Sequence, residues 1–290
     1  MCEDCGCGDS ELVPVEVQHR ILSENDRVAS HNREHFAEQG VLAINLMGSP
    51  GSGKTALLEA SVGLGIGSIS AVSGDLATDR DADRLVRKGI VARSITTGSA
   101  CHLDASLLHH SLHDEELAKA VAASEFFFIE NVGNLVCPAI YDLGQAANVV
   151  ALSVTEGEDK PIKYPVMFDR ADLVVVTKVD LLPYLPGFSL DALKDGLAQV
   201  MPDPRVLFVS AVTGEGMEGW KAWLLQQRAR LLESVADAQE YGHGHGHEHD
   251  HEHGHAHSHH DHSHDDGSHG HHDHDHDHSD HSTPHVHPTR

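Results

Sequence analysis

The stretch "GSPGSGKT", residues 48–55, is the most informative motif in this chain. It matches the pattern G-x-x-x-x-G-K-[ST], whose glycines let backbone N–H groups curl around a polyphosphate. The apolar run "VLAINLM" precedes it and the helical pattern "ALLEASVGLG" follows it, which is the strand–loop–helix context that the motif requires. We expect Lys54 to act catalytically on the outer phosphates and the Thr55 hydroxyl to ligate Mg²⁺. The residues predicted to hold the phosphates are Gly48, Ser49, Pro50, Gly51, Ser52, Gly53, Lys54 and Thr55.

Apolar runs on both sides of this loop alternate with helical patterns. Because the runs are continuous and rich in β-branched or aromatic residues, they are typical of buried parallel strands. Helical patterns such as "DRDADRLVRK" and "DASLLHHSLHDEELAKAVAAS" lie between them. The alternation predicts an α/β fold with a doubly wound, mostly parallel sheet, as in a P-loop NTPase domain. The predicted strands are residues 41–47, 68–73, 125–130, 148–155, 172–177 and 205–210.

Two motifs farther along the chain indicate which base is bound. "TKVD", residues 177–180, ends a predicted strand, and its aspartate can accept two hydrogen bonds from guanine. Adenine lacks that pair of donors and would leave the buried carboxylate unpaired. "SAVTGEG", residues 210–216, follows the last predicted strand and can offer a backbone N–H to guanine O6. We therefore predict GTP as the nucleotide, with its base contacted by Thr177, Lys178, Asp180, Ser210 and Ala211.

Acidic residues after two other predicted strands complete the expected phosphate site. Asp75, in "GDLATDRDADR", can hold Mg²⁺ through water or orient the attacking water; a surface acid is the lesser alternative. "ENVG", residues 130–133, has the spacing of the D-x-x-G switch of GTPases, with Glu in place of Asp. Glu130 can therefore reach Mg²⁺ through water, and the Gly133 N–H can sense the γ-phosphate. Lys54, Asp75 and Glu130 are the candidate catalytic residues.

Three residues of the central region form a candidate metal site. Cys101 and His102 are adjacent, just before a helical pattern, and Cys137 comes four residues after Gly133. A single buried cysteine is often only a small apolar residue. The combination is more specific, because thiolates and an imidazole suit Zn²⁺ or Ni²⁺ and three ligands leave one position open for transfer.

The two ends of the chain differ in composition from its middle and divide it into three parts. Residues 1–12 carry Cys2, Cys5 and Cys7. Three thiolates and an amine can offer Ni²⁺ four strong donors. A zinc knuckle and a redox-reactive tip are the alternatives. Residues 13–240 are the predicted GTPase domain. Residues 241–290 hold 21 of the 28 histidines among acidic and small residues, so we expect a disordered tail that binds metal weakly.

Composition excludes several classes of function. The net charge of −25 opposes general binding to nucleic acid or to an anionic membrane. The apolar runs are far shorter than the ~20 residues of a membrane span, and no basic and apolar leader is visible. Five cysteines in 290 residues are too few for a disulfide scaffold. We therefore expect a cytoplasmic protein whose thiols serve metal.

The motifs together resemble the HypB family of nickel-inserting GTPases that mature hydrogenases. The matching stretches are "MCEDCGCG", "GSPGSGKT", "GDLATDRDADR", "TGSACHLDA", "FIENVGNLVCPA", "VTEGEDKPIKYP", "TKVDLLPY" and "SAVTGEGM". The resemblance implies a SIMIBI-class G domain that dimerises with nucleotide or metal. It also implies delivery of nickel to a [NiFe] hydrogenase large-subunit precursor, with a small zinc-binding partner of the HypA kind. By that resemblance Cys2, Cys5 and Cys7 form a tight nickel site, and Cys101, His102 and Cys137 form a weaker one at the dimer interface.

Two other functions remain open from the sequence. A urease-maturation GTPase shares the phosphate loop and a Cys/His site, but it carries Cys-Pro-His where this chain has Cys101 followed directly by His102. A nickel storage protein is the second alternative. In that case the histidine tail would bind the metal and GTP turnover would be vestigial.

Overall fold

A computed structural model describes residues 15–75, 78–98 and 100–242, which all belong to one compact unit. The predicted ligands Cys2, Cys5 and Cys7 lie outside the described residues, as does the histidine-rich segment 243–290. Side chains are described for most of residues 19–237.

The described residues form a seven-stranded parallel sheet in the order β3-β2-β4-β1-β5-β6-β7. The predicted α/β class is therefore confirmed. β1 is central, paired with β4 on one side and with β5 on the other. A parallel sheet of this kind binds ligands beyond the carboxyl ends of its strands. The strands are β1 Leu42–Met47, β2 Ile69–Asp75, β3 Val91–Thr96, β4 Phe126–Glu130, β5 Ala147–Ser153, β6 Leu173–Thr177 and β7 Val206–Phe208.

Helices cover both faces of the sheet, because the strands connect in parallel and each crossover needs a covering element. None of the helices in the described part of the chain is long and apolar enough to cross a membrane. Their bounds are α1 Val15–Glu38, α2 Lys54–Ser61, α3 Arg80–Arg87, α4 Ala105–Ser111, α5 Glu115–Ala122, α6 Lys160–Lys163, α7 Pro165–Asp169, α8 Leu190–Val200 and α9 Met217–Gly242.

Three local predictions differ from the structure. β3 was not predicted, because its sequence "VARSIT" places polar residues among the apolar ones and does not form a continuous apolar run. The helical pattern 104–124 forms two helices, since the Asp114 carboxylate accepts from the Leu117 N–H and begins a new helix, α5. The predicted strand 148–155 ends at Ser153, whose side chain caps a short 3-10 turn.

Three buried or half-buried amides form a hydrogen-bonded chain in the middle of the sheet. β1 and β4 are buried at every position. Asn45 of β1 is fully buried, and its side chain donates to Asn148 Oδ1 over 3.1 Å and accepts from Asn131 Nδ2 over 3.1 Å. A buried amide needs such partners because an unpaired one would cost about 1–3 kcal/mol. The chain of amides therefore anchors the loop that follows β4.

Candidate nucleotide and metal sites

The phosphate loop follows β1 directly, and its backbone needs glycine. Gly48 has φ 148°, and a Cβ there would lie 2.3 Å from the carbonyl oxygen of Ala151. Gly53, with φ 95°, ends the loop where α2 begins. Lys54 is only 7% exposed, and its Nζ donates to the carbonyls of Gly48 and Ser49 at 3.2 Å each. Burial lowers the Lys54 pKa, and the nearby carboxylate of Glu130 partly opposes this shift.

Two carboxylates contact the Thr55 hydroxyl at the start of α2. Its hydroxyl lies 2.6 Å from Glu130 Oε1 and 3.0 Å from Asp81 Oδ1. The other carboxylate oxygen of Glu130, Oε2, is buried with no hydrogen-bond partner. A hydroxyl and two carboxylates are the hard oxygen donors that Mg²⁺ prefers. These residues therefore fit the magnesium ion that accompanies a nucleoside triphosphate.

Glu130 has an unusual titration for a glutamate. Burial raises its pKa from 4.5 to about 7, against the opposing effects of the Thr55 hydrogen bond and the Lys54 charge. Burial is the largest cause because a carboxylate loses its hydration there. A divalent cation would replace that hydration and favour the charged form.

A cavity of about 570 Å³ lies between the phosphate loop and the ends of β2 and β4. Asp75, at the carboxyl end of β2, lines this cavity. Its carboxylate accepts from the backbone N–H of Thr78 over 3.3 Å and from the Thr78 hydroxyl over 3.0 Å. Arg84 also lines this cavity and pairs with Glu59 over 2.7 Å. The cavity thus joins the phosphate loop to Asp75 and Glu130, at the ends of β2 and β4, and to Arg84 of α3.

The predicted base motif borders a second cavity, of about 270 Å³. Thr177 Oγ1 donates to the Ser52 carbonyl over 2.5 Å, and Lys178 Nζ donates to the Gly51 carbonyl over 2.7 Å. Lys178 adopts φ 60°, a left-handed backbone conformation that is uncommon for a residue other than glycine. Asp180 Oδ1 is buried there with no hydrogen-bond partner. An unpaired buried carboxylate oxygen is what guanine N1–H and N2–H₂ would satisfy.

The loop after β7 closes the cavity on its other side. Ser210 is fully buried, and its Oγ accepts from the N–H groups of Val212 and Thr213 at 3.3 Å and 3.1 Å. This turn places Ala211 in the cavity wall beside Asp180. The two motifs are 30 residues apart in the chain and meet because β6 and β7 are neighbours.

The structure brings Cys101, His102 and Cys137 together. Their ligand atoms all lie within 4.8 Å of one another, with the two Sγ atoms 2.7 Å apart. Cys101 and Cys137 are not joined by a disulfide bond. The His102 ring stacks on Tyr141 at 3.9 Å between centroids. Two sulfurs and one imidazole fit a soft or borderline ion such as Zn²⁺ or Ni²⁺.

The loop after β4 connects the nucleotide and metal residues. A Cβ on Gly133 would lie 2.9 Å from the Pro50 backbone nitrogen, so this glycine packs directly on the phosphate loop. The Asn134 N–H donates to the Gly48 carbonyl over 3.1 Å. The Asn134 side chain donates to the Cys101 carbonyl over 3.3 Å. One residue therefore bonds the phosphate loop on one side and the metal-site backbone on the other.

Sequence reasoning did not single out four residues of these sites. Asp81 and Arg84 lie in the motif "GDLATDRDADR", but only the fold shows that Asp81 contacts Thr55 and that Arg84 lines the same cavity. Glu156 contacts Ser49 Oγ, although the two are 107 residues apart. Asn134 had no signal of its own beyond its place between Gly133 and Cys137.

Comparisons with known proteins agree with this geometry. Residues 42–208 match the family model "CobW/HypB/UreG, nucleotide-binding domain". The hydrogenase maturation factor HypB of Rhizobium leguminosarum bv. viciae is 50% identical over 225 residues, covering 77% of this chain and 74% of that protein. The hydrogenase/urease maturation factor HypB of Helicobacter hepaticus is 43% identical over 220 residues, covering 76% and 90%. The crystal structure of HypB from Helicobacter pylori in complex with nickel superposes with a TM-score of 0.69 at 40% identity, covering 71% of this chain and 96% of that one.

Proposed function

This chain belongs to the HypB branch of the CobW/HypB/UreG family, and on that premise we propose that it is a GTP-hydrolysing nickel chaperone. Its proposed acceptor is the precursor of a [NiFe] hydrogenase large subunit, with a small zinc-binding protein of the HypA kind as partner. The relatives' description as hydrogenase maturation factors and the nickel bound to the Helicobacter pylori structure support this assignment.

Hydrolysis of GTP is the first part of the proposal. Lys54 holds the outer phosphates once they replace the two loop carbonyls that its ammonium now contacts. Thr55, Glu130 and Asp81 would hold Mg²⁺, which would neutralise charge on the phosphates. Asp75 lies across the cavity, where its carboxylate can orient the attacking water. The unpaired Asp180 oxygen supports guanine as the base.

Coupling between nucleotide and metal is the second part, and Asn134 is the observation that carries it. Its backbone bonds to the phosphate loop and its side chain bonds to the backbone of Cys101. Gly133, directly before it, lies where a γ-phosphate sensor of a D-x-x-G switch lies. A shift of this loop on hydrolysis would therefore move both Cys101 and Cys137.

Nickel handling by two chains is the third part. Three ligands, Cys101, His102 and Cys137, leave at least one coordination position for another donor. We propose that a second copy of the chain supplies it, so that nucleotide or metal favours a homodimer. The exposed apolar side chains Val136 and Ile140, on either side of Cys137, are suited to such a contact. Zn²⁺ competes for the same donors, and the thiols require a reducing, cytoplasmic setting.

The two chain ends supply nickel in this proposal. Cys2, Cys5 and Cys7 provide a tight site, and the 21 histidines of residues 241–290 provide many weak ones. Deletion of residues 241–290 tests whether storage is the main function. If storage is the main function, the tailless chain should bind fewer metal ions. Its nickel delivery should then fall in proportion to the number of ions lost.

Transfer of nickel to an apo hydrogenase precursor tests the whole proposal. The full chain loaded with Ni²⁺ is mixed with the precursor in the presence of GTP, GDP or a non-hydrolysable GTP analogue. We expect transfer to be fastest with GTP and to lose that advantage in Lys54→Ala. Equal transfer with all three nucleotides would contradict a GTP-driven chaperone.

A urease precursor is the informative second acceptor. The Helicobacter hepaticus relative is described as a hydrogenase/urease maturation factor. GTP-dependent transfer to the urease precursor and not to the hydrogenase precursor would assign the urease role to this chain instead.

A further inference from the structure

Histidines gather where α1 meets the segment around α4, outside the nucleotide and thiol sites. α1 contributes one pair spaced by four residues and the α4 segment contributes another, and residues four apart share one helix face. The cluster, which we call the α1–α4 histidine cluster, consists of His31, His35, His109, His110 and His113.

Two imidazole nitrogens of the cluster are already at the spacing of metal ligands. His109 Nε2 and His113 Nε2 are 3.3 Å apart. Zinc-bound imidazole nitrogens lie 2.0–2.1 Å from a tetrahedral ion, which places two of them about 3.3 Å from each other. The distance between these two nitrogens therefore equals that between two imidazole nitrogens on one tetrahedral ion.

Asn32 fixes which nitrogen of His109 faces the pair. The Asn32 side chain is fully buried, and its Nδ2 donates to the carbonyls of Ala105 and Leu143 at 3.1 Å and 3.2 Å. Its Oδ1 must therefore accept, and it lies 3.0 Å from His109 Nδ1. His109 carries its proton on Nδ1, so its Nε2 offers a lone pair toward His113. A second group that holds one ring nitrogen in this way is the usual support of a metal-binding histidine.

α1 supplies a third imidazole. The His31 ring packs edge-on against His109, with 5.2 Å between centroids. His31 is exposed, so its side chain can change rotamer quickly and turn a nitrogen toward the pair. His110 is different, because its Nδ1 already donates to the Ser106 carbonyl over 2.7 Å.

We propose that His31, His109 and His113 form an imidazole site for a divalent transition-metal ion, Zn²⁺ or Ni²⁺, that links α1 to α4. Neutral imidazole suits both ions. Burial, followed by the charges of the neighbouring histidines, lowers the pKa of His109 and keeps that ring in the neutral form. The site contains no thiolate and no nucleotide contact, so it stands apart from the proposed GTPase and from its nickel ligands.

Site-resolved chemical modification tests the proposal in the full chain, where the histidine tail would obscure a simple count of bound ions. Diethyl pyrocarbonate acylates unliganded imidazoles, and digestion with mass spectrometry separates residues 102–113 from the tail. We expect Zn²⁺ or Ni²⁺ to slow modification of His109 and His113 at least about ten-fold while leaving His110 unchanged. Equal rates with and without ion would overturn the proposal.

Variants separate this site from its neighbours. His113→Gln removes a proposed ligand and should raise the ion concentration that protects His109 by at least about 10- to 100-fold, the loss that removal of an outer-shell partner alone causes. His110→Gln is the matched control and should leave protection unchanged. Protection should persist in Cys101→Ser/Cys137→Ser, and its loss there would mean that the ion sits at the thiol site and not in the histidine cluster.

Discussion

The hydroxyl of Thr55 lies 2.6 Å from Glu130 Oε1, and this hydrogen bond joins the end of the phosphate loop to the end of β4. The two residues are 75 positions apart in the chain. They meet because β1 and β4 are hydrogen-bonded neighbours that end at the same edge of the sheet. The bond places a buried carboxylate beside the loop that we propose to bind phosphates. The effect of this carboxylate on stability can be measured.

Glu130→Gln should stabilise the nucleotide-free protein, and the gain should grow as the pH rises. Burial raises the Glu130 pKa to about 7 from 4.5, so the folded chain holds a proton that the unfolded chain has lost between these values. Stability is therefore lost as the pH rises through this window. The shift corresponds to at most about 3.5 kcal/mol, and the gain from the variant is smaller because Lys54 loses a neighbouring negative charge.

Urea unfolding with a metal chelator, at pH 5, 6, 7 and 8, measures this difference. Glu233→Gln, an exposed glutamate of α9, is the matched control and should show no such trend. A difference between Glu130→Gln and the parent that stays constant across the four pH values would contradict the assigned cause.

Lys54→Ala should lower the rate of GTP hydrolysis by about 100-fold or more. The variant removes the ammonium that contacts the Gly48 and Ser49 carbonyls and that would hold the outer phosphates. Phosphate release under saturating GTP is the measurement, and Lys88→Ala, on the exposed end of α3, is the control. Metal binding at Cys101, His102 and Cys137 should persist, which shows that the fold survives. Unchanged turnover would mean that the phosphate loop does not hold the substrate.

Asp180→Asn should weaken GTP binding by at least about 100-fold and favour xanthosine triphosphate. The buried Asp180 Oδ1 has no hydrogen-bond partner and would accept from guanine, whereas an amide could donate to the 2-oxo group of xanthine. Competition between the two nucleotides for a fluorescent analogue gives the ratio of affinities. A variant that still prefers GTP as strongly as the parent would remove Asp180 from the base site.

Asn134→Ala should uncouple metal affinity from nucleotide state. In the parent we expect Ni²⁺ affinity at Cys101, His102 and Cys137 to differ between GDP and a non-hydrolysable GTP analogue by about 5- to 150-fold, the usual range for linked sites. The variant removes the side-chain bond to the Cys101 carbonyl and keeps all three ligands. The difference should therefore shrink while Ni²⁺ still binds.

Two further variants serve as the negative and positive controls for that measurement. Gln199→Ala removes an exposed amide of α8 and should leave the coupling unchanged. Cys137→Ala should abolish it by removing a ligand. If Asn134→Ala retains the full difference, the coupling passes through another contact, of which the bond from the Leu103 N–H to Asn131 Oδ1 over 3.1 Å is the next to test.

Local sequence determined the parts of this protein whose geometry is local. The phosphate loop follows from its own glycines, because Gly48 and Gly53 supply backbone angles and a close approach that other residues resist. The central strands follow from continuous apolar runs, since a parallel sheet covered on both faces needs apolar residues on both. Family membership, which the comparisons confirm, rests on such local motifs.

Tertiary structure decided which distant residues meet. The order of the sheet brings Glu130 and Asp81 to Thr55, and it sets the loop carrying Cys137 against Cys101. No local pattern marks Asn134 as a bridge or His109 as the partner of an α1 histidine. The physical reason is that hydrogen bonds and metal ligands act over about 3 Å, and only packing of the strands and helices brings side chains so far apart in sequence to that distance.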